Sequence, residues 1–357
     1  MTTSTTDPNR PGVALVVGDR GVIGGTLAEH LATTGWDVIG LSRRDGGNRA
    51  GVRHLSVDLL DEADARTKLG DLRDVTHIFY AAYQDRPTWS ELVEPNVTML
   101  RNVVEAVEPV ARDLRHVSLM QGYKVYGAHL GPFKTPARES DADHMPPEFN
   151  VDQQAYLVDR QRDTSWTWSA IRPSVVCGIA LGIPMNLTMV LAVYASISKE
   201  LGIPLRFPGK PGAYGSLLEM TDADLLARAT VWAATDERCA NEAFNITNGD
   251  LFRWSEMWPA VARWFDLDVA PPLPMSLADV MADKAPLWAR MVERHGLVDH
   301  GYDAVSSWAF GDAVFGWDYD MIGDGSKARR FGFAEHVETG AMFDRLFGEL
   351  RTRRIIP

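Results

Sequence analysis

VALVVGDRGVIGGTLAEHLATTG, residues 13–35, is the stretch whose reading decides the fold. Its first five residues form a short apolar run, as expected of a strand buried on both faces. From Gly21 onward the pattern is helical. Gly18, Gly21 and Gly24 stand at the junction. In such a turn the first glycine permits the tight bend and the second lets a pyrophosphate approach the backbone. The third lets the helix pack on the sheet, while the helix N-terminus offers N–H groups and a positive dipole to phosphate. A glycine triplet alone is weak. Following a strand and opening a helix within a βαβ unit of about 30 residues, it predicts dinucleotide binding. Arg20, Val22 and Ile23 lie in the same turn and are expected to line the nucleotide, Arg20 with a further phosphate contact.

Working outward, apolar runs at 37–42, 54–59, 75–82, 114–120 and 166–174 read as strands, with a long helical pattern over 91–110. Strands alternating with helices at this spacing predict an α/β fold, a doubly wound parallel Rossmann sheet. After Pro173 the order changes. A helical segment (184–201), a helix in TDADLLARATVWAA with a Thr/Asp cap, and a strand and turn at 242–250 precede a mostly helical remainder. The expected division is a flexible arm (1–11), a nucleotide-binding domain (12–180 plus about 221–250) and a smaller, mostly helical substrate-binding lid (about 181–220 plus 251–357). Trp254, Trp258, Trp264, Trp288, Trp308 and Trp317 enrich the last part, as core packing or as a few lid residues against an apolar ligand.

Composition bounds the rest. The formal net charge of −12 weighs against a nucleic-acid or anionic-membrane surface, and no apolar run approaches a membrane span. Two cysteines, Cys177 and Cys239, lack metal-like spacing and suit a reduced cytoplasmic setting. Cys177 reads as a buried structural thiol near the nucleotide. His54, His77, His116 and His144 form no metal pattern, so no metal is expected. A homodimer is the default oligomer.

The second strand ends in LSRRDGG, with Ser42, Arg43 and Arg44 where an NAD-specific site usually carries an acid. Two guanidiniums suit the 2′-phosphate of NADP(H) by charge and fork geometry. Asp45, slightly later, leaves a ribose contact and NAD open. Asp58, followed by Leu59, ends the third strand where a carboxylate accepts from an adenine amino group or caps a helix.

A lysine, Lys124, follows the fifth strand in SLMQGYKVYG, after Gln121. Together with GLSRR, FYAAYQDRPTW, QGYKVYGAHLGPFKTPARE, TWSAIRPSVVCG, NEAFNITNGDLFRWSEMWP and the terminal RRIIP, this resembles the extended short-chain dehydrogenases/reductases. Within them it is similar to the progesterone 5β-reductase/iridoid synthase-like (PRISE) branch over nearly the whole chain. The resemblance implies NADPH-dependent 1,4-reduction of the C=C bond in enones and enals, and in some members carbonyl reduction. It implies Lys124 as the catalytic lysine, Gly18, Gly21, Gly24, Arg43 and Arg44 at the cofactor, and the backbone of Ala81 and Ala82 at the nicotinamide ribose. Pro173 to Val176, including Val175, would face the nicotinamide amide.

One departure is sharp. The branch carries its catalytic tyrosine in an NFYYDQED-like stretch, whereas aligning Asp152-Gln153 here puts Asn150 at that position and Val151 beside it. An amide donates a hydrogen bond but is no general acid near neutral pH. Two other tyrosines are candidates: Tyr126, which shares the face of Lys124 if the backbone is extended, and Tyr156, which heads a Tyr-x-x-x-Arg helix face. The leading expectation is an NADPH-dependent reductase of activated alkenes or carbonyls in small apolar substrates. Two rivals share the frame: an isomerase, epimerase, aldolase-like or cyclase catalyst using NADP structurally or transiently, and a non-catalytic NADP-sensing protein.

Overall fold

The computed structural model describes residues 11–44, 46–142 and 145–357. The arm up to residue 10, Asp45 and His144 lie outside the described residues. The first half of the chain runs β1 (Val13–Val17), α1 (Val22–Thr33), β2 (Asp37–Ser42), β3 (Val52–Ser56), α2 (Glu62–Leu69), β4 (His77–Tyr80), α3 (Trp89–Val107) and β5 (His116–Met120). It continues through α4 (Phe149–Gln161), β6 (Thr167–Pro173), α5 (Leu187–Glu200), α6 (Ala223–Thr235) and β7 (Glu242–Ile246). The last part includes α7 (Trp254–Trp264), α8 (Trp308–Phe315) and α9 (Thr339–Thr352).

The seven strands form one sheet in the order β7-β6-β5-β4-β1-β2-β3, with every pairing parallel. The expected doubly wound parallel sheet is what forms. The order reverses between β1 and β4, where Val17 pairs with Tyr80. Chain leaving the carboxyl ends of these two strands diverges there and opens the crevice where such sheets take ligands. Helix starts follow local chemistry. Asp61 caps α2, and Asp222 caps α6 by accepting from the N–H groups of Asp224 and Leu225. The helix expected from residue 91 starts at Trp89, because Thr88 and Glu91 form a capping box. The third strand stops at Ser56, short of the expected Leu59. The Asp58 N–H donates to Asp64, and its carboxylate accepts from the Leu60 N–H, turning the chain toward α2.

A second apolar cluster surrounds α5, which is buried from Leu187 through Ser198. Phe207, Trp254, Trp258 and Phe315 pack there, edge to face at centroid distances of 5.2–5.8 Å except for the tilted Phe207–Trp254 pair at 6.1 Å. The cluster takes in Tyr123, Val125 and Tyr126 from the segment after β5, so it abuts the sheet directly. Trp254, Trp258, Trp288 and Trp308 are core residues. Trp317 lines the crevice instead. Among the described residues no helix is long and apolar enough to cross a membrane, and no group of His, Cys, Asp or Glu could hold a metal ion.

His77 and His116 sit side by side in β4 and β5, buried, with ring centroids 6.5 Å apart. His116 is hydrogen-bonded to the hydroxyls of Thr167 and Ser169, both at 2.8 Å. Burial pulls His77 down to about 4 and His116 to about 3, with Arg115 and the neighbouring ring pushing the same way. A depressed folded-state value means that stability is full above the unfolded value near 6.5 and drains as pH falls through it. Each ring costs about 1.4 kcal/mol per pH unit below that point. The slope of unfolding free energy between pH 6 and 5 is therefore expected to be about 2.5 kcal/mol per unit shallower in His77→Gln/His116→Gln than in wild type. Parallel urea titrations check this; equal slopes would mean that both rings protonate in the fold at no cost.

Candidate active site

Chain emerging from the carboxyl ends of β1 to β6 lines a crevice of about 630 Å³. The glycine turn forms its floor. Gly18 adopts φ +90°, and a Cβ there would stand 2.9 Å from the Ala81 carbonyl, so this position accepts a glycine on both counts. A Cβ on Gly24 would lie 2.3 Å from the Gly18 carbonyl oxygen. Gly21, the residue before α1, has no such neighbour: its nearest contact is 3.5 Å away, and the missing side chain leaves room on the crevice side. Beneath the turn lies Asp19, fully buried, which the sequence reading passed over. Its Oδ2 is 3.2 Å from His54 Nδ1 and 3.3 Å from Arg49, and a Cβ on Gly40 would meet it at 2.3 Å. Asp19 thus braces the turn from behind.

Arg20, Arg43 and Arg44 gather at one end of the crevice, with Val22, Ile23, Ser42, Asp58 and Leu59. The strand exit that carries the arginines is pinned at its backbone: Ser42 and Ser56 hydroxyls donate to the carbonyls of Arg44 and Arg43 at 3.0 and 2.9 Å. Ala81, Ala82, Gln121, Lys124, Asn150, Pro173, Val175 and Val176 line the middle. The far end is apolar, walled by Ile183, Pro184, Met185, Phe310, Trp317 and Met321. The arrangement fits a long anionic nucleotide at the arginine end and an apolar partner at the other. Its N–H-rich turn, its guanidiniums and the space over Gly21 are what such a cofactor requires.

Lys124 occupies a single 3₁₀ turn, Tyr123–Tyr126. Its ammonium stands 4.9 Å from the Trp89 ring centroid and 5.5 Å from that of Tyr83, and it has no hydrogen bond to a described residue. Burial lowers its pKa, opposed by the nearby charges of Glu148 and Asp85. Asn150 is 4% exposed. Its side-chain Nδ2 donates to Glu148 at 2.7 Å, and its backbone carbonyl accepts from the Gln121 side chain at 2.8 Å. Gln121 accepts in turn from the buried Arg172 at 2.8 Å.

The two alternative tyrosines do not reach the crevice. The 3₁₀ turn removes the extended backbone that would have aligned Tyr126 with Lys124. The Tyr126 hydroxyl donates to Asn245 at 2.6 Å and accepts from Arg172 at 3.1 Å, and burial pushes it up to about 12. Tyr156 lies six residues beyond Asn150, about 120° away around α4. It packs with the cluster between the sheet and α3, under the Arg101 guanidinium. Cys177 is fully buried outside the crevice, and burial pushes its thiol up to about 12. Glu148, Tyr83 and Trp89, missed from sequence, surround Lys124. A signal existed for Glu148: an acid just ahead of the helix that bears Asn150.

Comparison with known proteins agrees with this geometry. A family model described as a PRISE-like Rossmann-fold domain matches residues 52–357. The (S)-8-oxocitronellyl enol synthase of Camptotheca acuminata is 35% identical, covering 97% of this chain and 93% of its own. The 3-oxo-Δ(4,5)-steroid 5-β-reductase of Arabidopsis thaliana is 33% identical over 97% of this chain and 92% of its own. Among solved structures, the UDP-glucose 4-epimerase of Thermus thermophilus, in complex with NAD, superposes with a TM-score of 0.66 at 19% identity. That match covers 95% of this chain and 99% of the epimerase, a likeness of fold.

Proposed function

The chain belongs to the PRISE-like Rossmann-fold family, and from that premise we propose that it is an NADPH-dependent reductase of activated C=C bonds in small apolar enals and enones. One observation carries the reading. An ammonium with no hydrogen bond to a described residue, Lys124, lines the same crevice as the buried Asn150, and that crevice is basic at one end and apolar at the other. When bound, the reduced nicotinamide supplies the hydride. Residues of the turn, with Arg20, Arg43 and Arg44, hold the nucleotide, and the arginines favour the 2′-phosphate of NADP(H). Ile183, Met185, Phe310 and Trp317 exclude water from an apolar substrate.

Hydride addition to the β-carbon of an enal moves charge to its carbonyl oxygen. Lys124 and the one Asn150 N–H not given to Glu148 stabilise that oxyanion, and the α-carbon takes its proton from water once the enolate is released. Carbonyl reduction demands prompt protonation of an alkoxide, which Asn150 does not provide. The altered site therefore favours conjugate reduction over alcohol formation.

The test follows NADPH oxidation with a panel of enals, enones and aldehydes, identifying products. Saturated carbonyl products are expected, with NADPH preferred over NADH. Arg43→Ala/Arg44→Ala should weaken NADPH binding roughly 150-fold and leave NADH nearly unchanged, since each of the two charge-assisted contacts is worth about 1.5 kcal/mol. Substrate conversion without net NADPH consumption, or turnover appearing only in Asn150→Tyr, would overturn the reading.

A further inference from the structure

Glu148 is an acid where the chain has just turned into α4, 6% exposed, with both carboxylate oxygens engaged. One accepts from the Val151 N–H at 3.1 Å and so caps the helix; the other accepts from Asn150 Nδ2 at 2.7 Å. A carboxylate has acceptors and no donor, so the Asn150 amide can face it in one sense only, with its NH₂ toward Glu148. The same carboxylate is a negative charge acting on Lys124. The other charges around that ammonium are few. Asp85, on the loop after β4, acts in the same direction but is more exposed and takes the Tyr83 hydroxyl at 2.9 Å. The neutral rings of Tyr83 and Trp89 cover the lysine, and His129, which lines the same crevice, packs edge to face against Trp89 with ring centroids 4.5 Å apart. Glu148 is the buried countercharge on this side.

We propose that Glu148 is a positioning residue of the reductive site: it fixes the sense of the Asn150 amide and holds Lys124 as an ammonium ion. This rests on the reductase reading for its consequence in catalysis, but not for its electrostatics. Glu148 is not among the residues that line the crevice. It acts through Asn150 and Lys124, the two groups assigned to the oxyanion. Burial alone favours a neutral amine at Lys124, and a neutral amine neither offsets an enolate charge nor offers three donors. The carboxylate offsets that tendency; burial pushes Glu148 itself above the ordinary carboxylate value, opposed by the N–H groups of Asn150 and Val151 and by the Lys124 charge.

The decisive measurement is the pH dependence of Lys124 acylation by acetic anhydride, read by peptide mass spectrometry on the full chain, in wild type and Glu148→Gln. Acylation needs the neutral amine, so its midpoint reports the ammonium directly and needs no turnover. Glu148→Gln is expected to move the midpoint to lower pH by roughly one unit, the size of effect a near opposite charge produces. With an enal substrate, the basic limb of the kcat/KM profile should move by the same interval, and kcat should fall about tenfold. Glu148→Asp keeps the charge and should return the midpoint toward wild type. A Lys124 midpoint unchanged in folded Glu148→Gln, with only the Tm lowered, would reduce Glu148 to a helix cap and overturn the proposal. Should Glu148→Gln fail to fold, Glu148→Ser retains a capping oxygen without charge and serves the same comparison. A wild type that oxidises no NADPH with any substrate overturns the reductase reading, and the acylation midpoint still decides this one.

Discussion

Gly24→Ala is expected to abolish nucleotide binding and to lower the Tm by roughly 4 °C, whereas Gly21→Ala, three residues earlier in the same motif, should leave the Tm within about 1 °C of wild type. The contrast follows from what each new methyl group would meet. At Gly24 it would lie 2.3 Å from the carbonyl oxygen and 2.7 Å from the carbonyl carbon of Gly18. Those atoms are backbone, and they cannot swing aside. Gly18 is itself clamped, its N–H donating to Leu41 at 2.7 Å and its carbonyl accepting from Gly21 at 3.0 Å. Relief must come from lifting α1 off the sheet, at about 3 kcal/mol, the upper range for overpacking. That movement carries the N–H groups of the first turn away from the phosphates. At Gly21 the methyl group makes ordinary contact at 3.5 Å and takes up the room a pyrophosphate needs. Its penalty should fall on cofactor affinity, about tenfold, with the fold intact. Thermal melts and NADPH titrations of both variants separate the cases. Equal Tm losses would mean that both glycines serve packing and that the crevice over Gly21 is not the phosphate site.

The glycine turn was legible in the sequence because its requirements are local: a strand, a bend and a helix start within one short run. The parallel strands were legible for a related reason. Buried on both faces, they appear as uninterrupted apolar runs such as VALVV, and the third ends early where the Asp58 carboxylate accepts from the Leu60 N–H and turns the chain toward α2. The turn around Lys124 was not legible. YKVY carries no signal that separates a 3₁₀ turn from extended chain, and the difference decides which tyrosine faces the crevice. Tyr126 and Tyr156 were both candidates by spacing, and both are taken up elsewhere by partners distant in sequence: Asn245 and Arg172 for one, the α3 packing for the other. The surroundings of the lysine share this character. Tyr83 and Trp89 come from beyond β4 and Glu148 from the start of α4, so the environment that sets the charge of Lys124 exists only after the crossovers have formed. Asp19 was hidden differently. It sits inside the motif, but its purpose lies in Arg49 and His54 behind the turn.

Lys124→Met is expected to lower kcat for enal reduction by about 10²- to 10³-fold, the range seen when one charge-stabilising donor is removed from an oxyanion site, while NADPH affinity changes by only a few-fold. Methionine keeps the length and apolar stem of lysine, so packing against Trp89 and Tyr83 survives and the charge is what is lost. The expected effect on stability is small and of either sign. Burial of an ammonium is costly, as the lowered pKa of Lys124 records, and the two ring faces return about 1–2 kcal/mol. A large fall in kcat with an unchanged Tm therefore assigns the lysine to chemistry rather than to structure. The pH profile adds an independent arm. The ammonium is the active form and its pKa lies below the ordinary lysine value, so wild-type activity should hold at neutral pH and decline as pH rises through that lowered value. Lys124→Met should lack this basic limb altogether. If the variant instead kept both its rate and the limb, the oxyanion would have to be served by the Asn150 amide alone, and the decline at high pH would belong to another group facing the crevice, with Tyr83 the first to test. Burial and its bond to Asp85 hold that phenol well above the usual tyrosine range, so a limb that begins below pH 10 points to Lys124 and not to Tyr83.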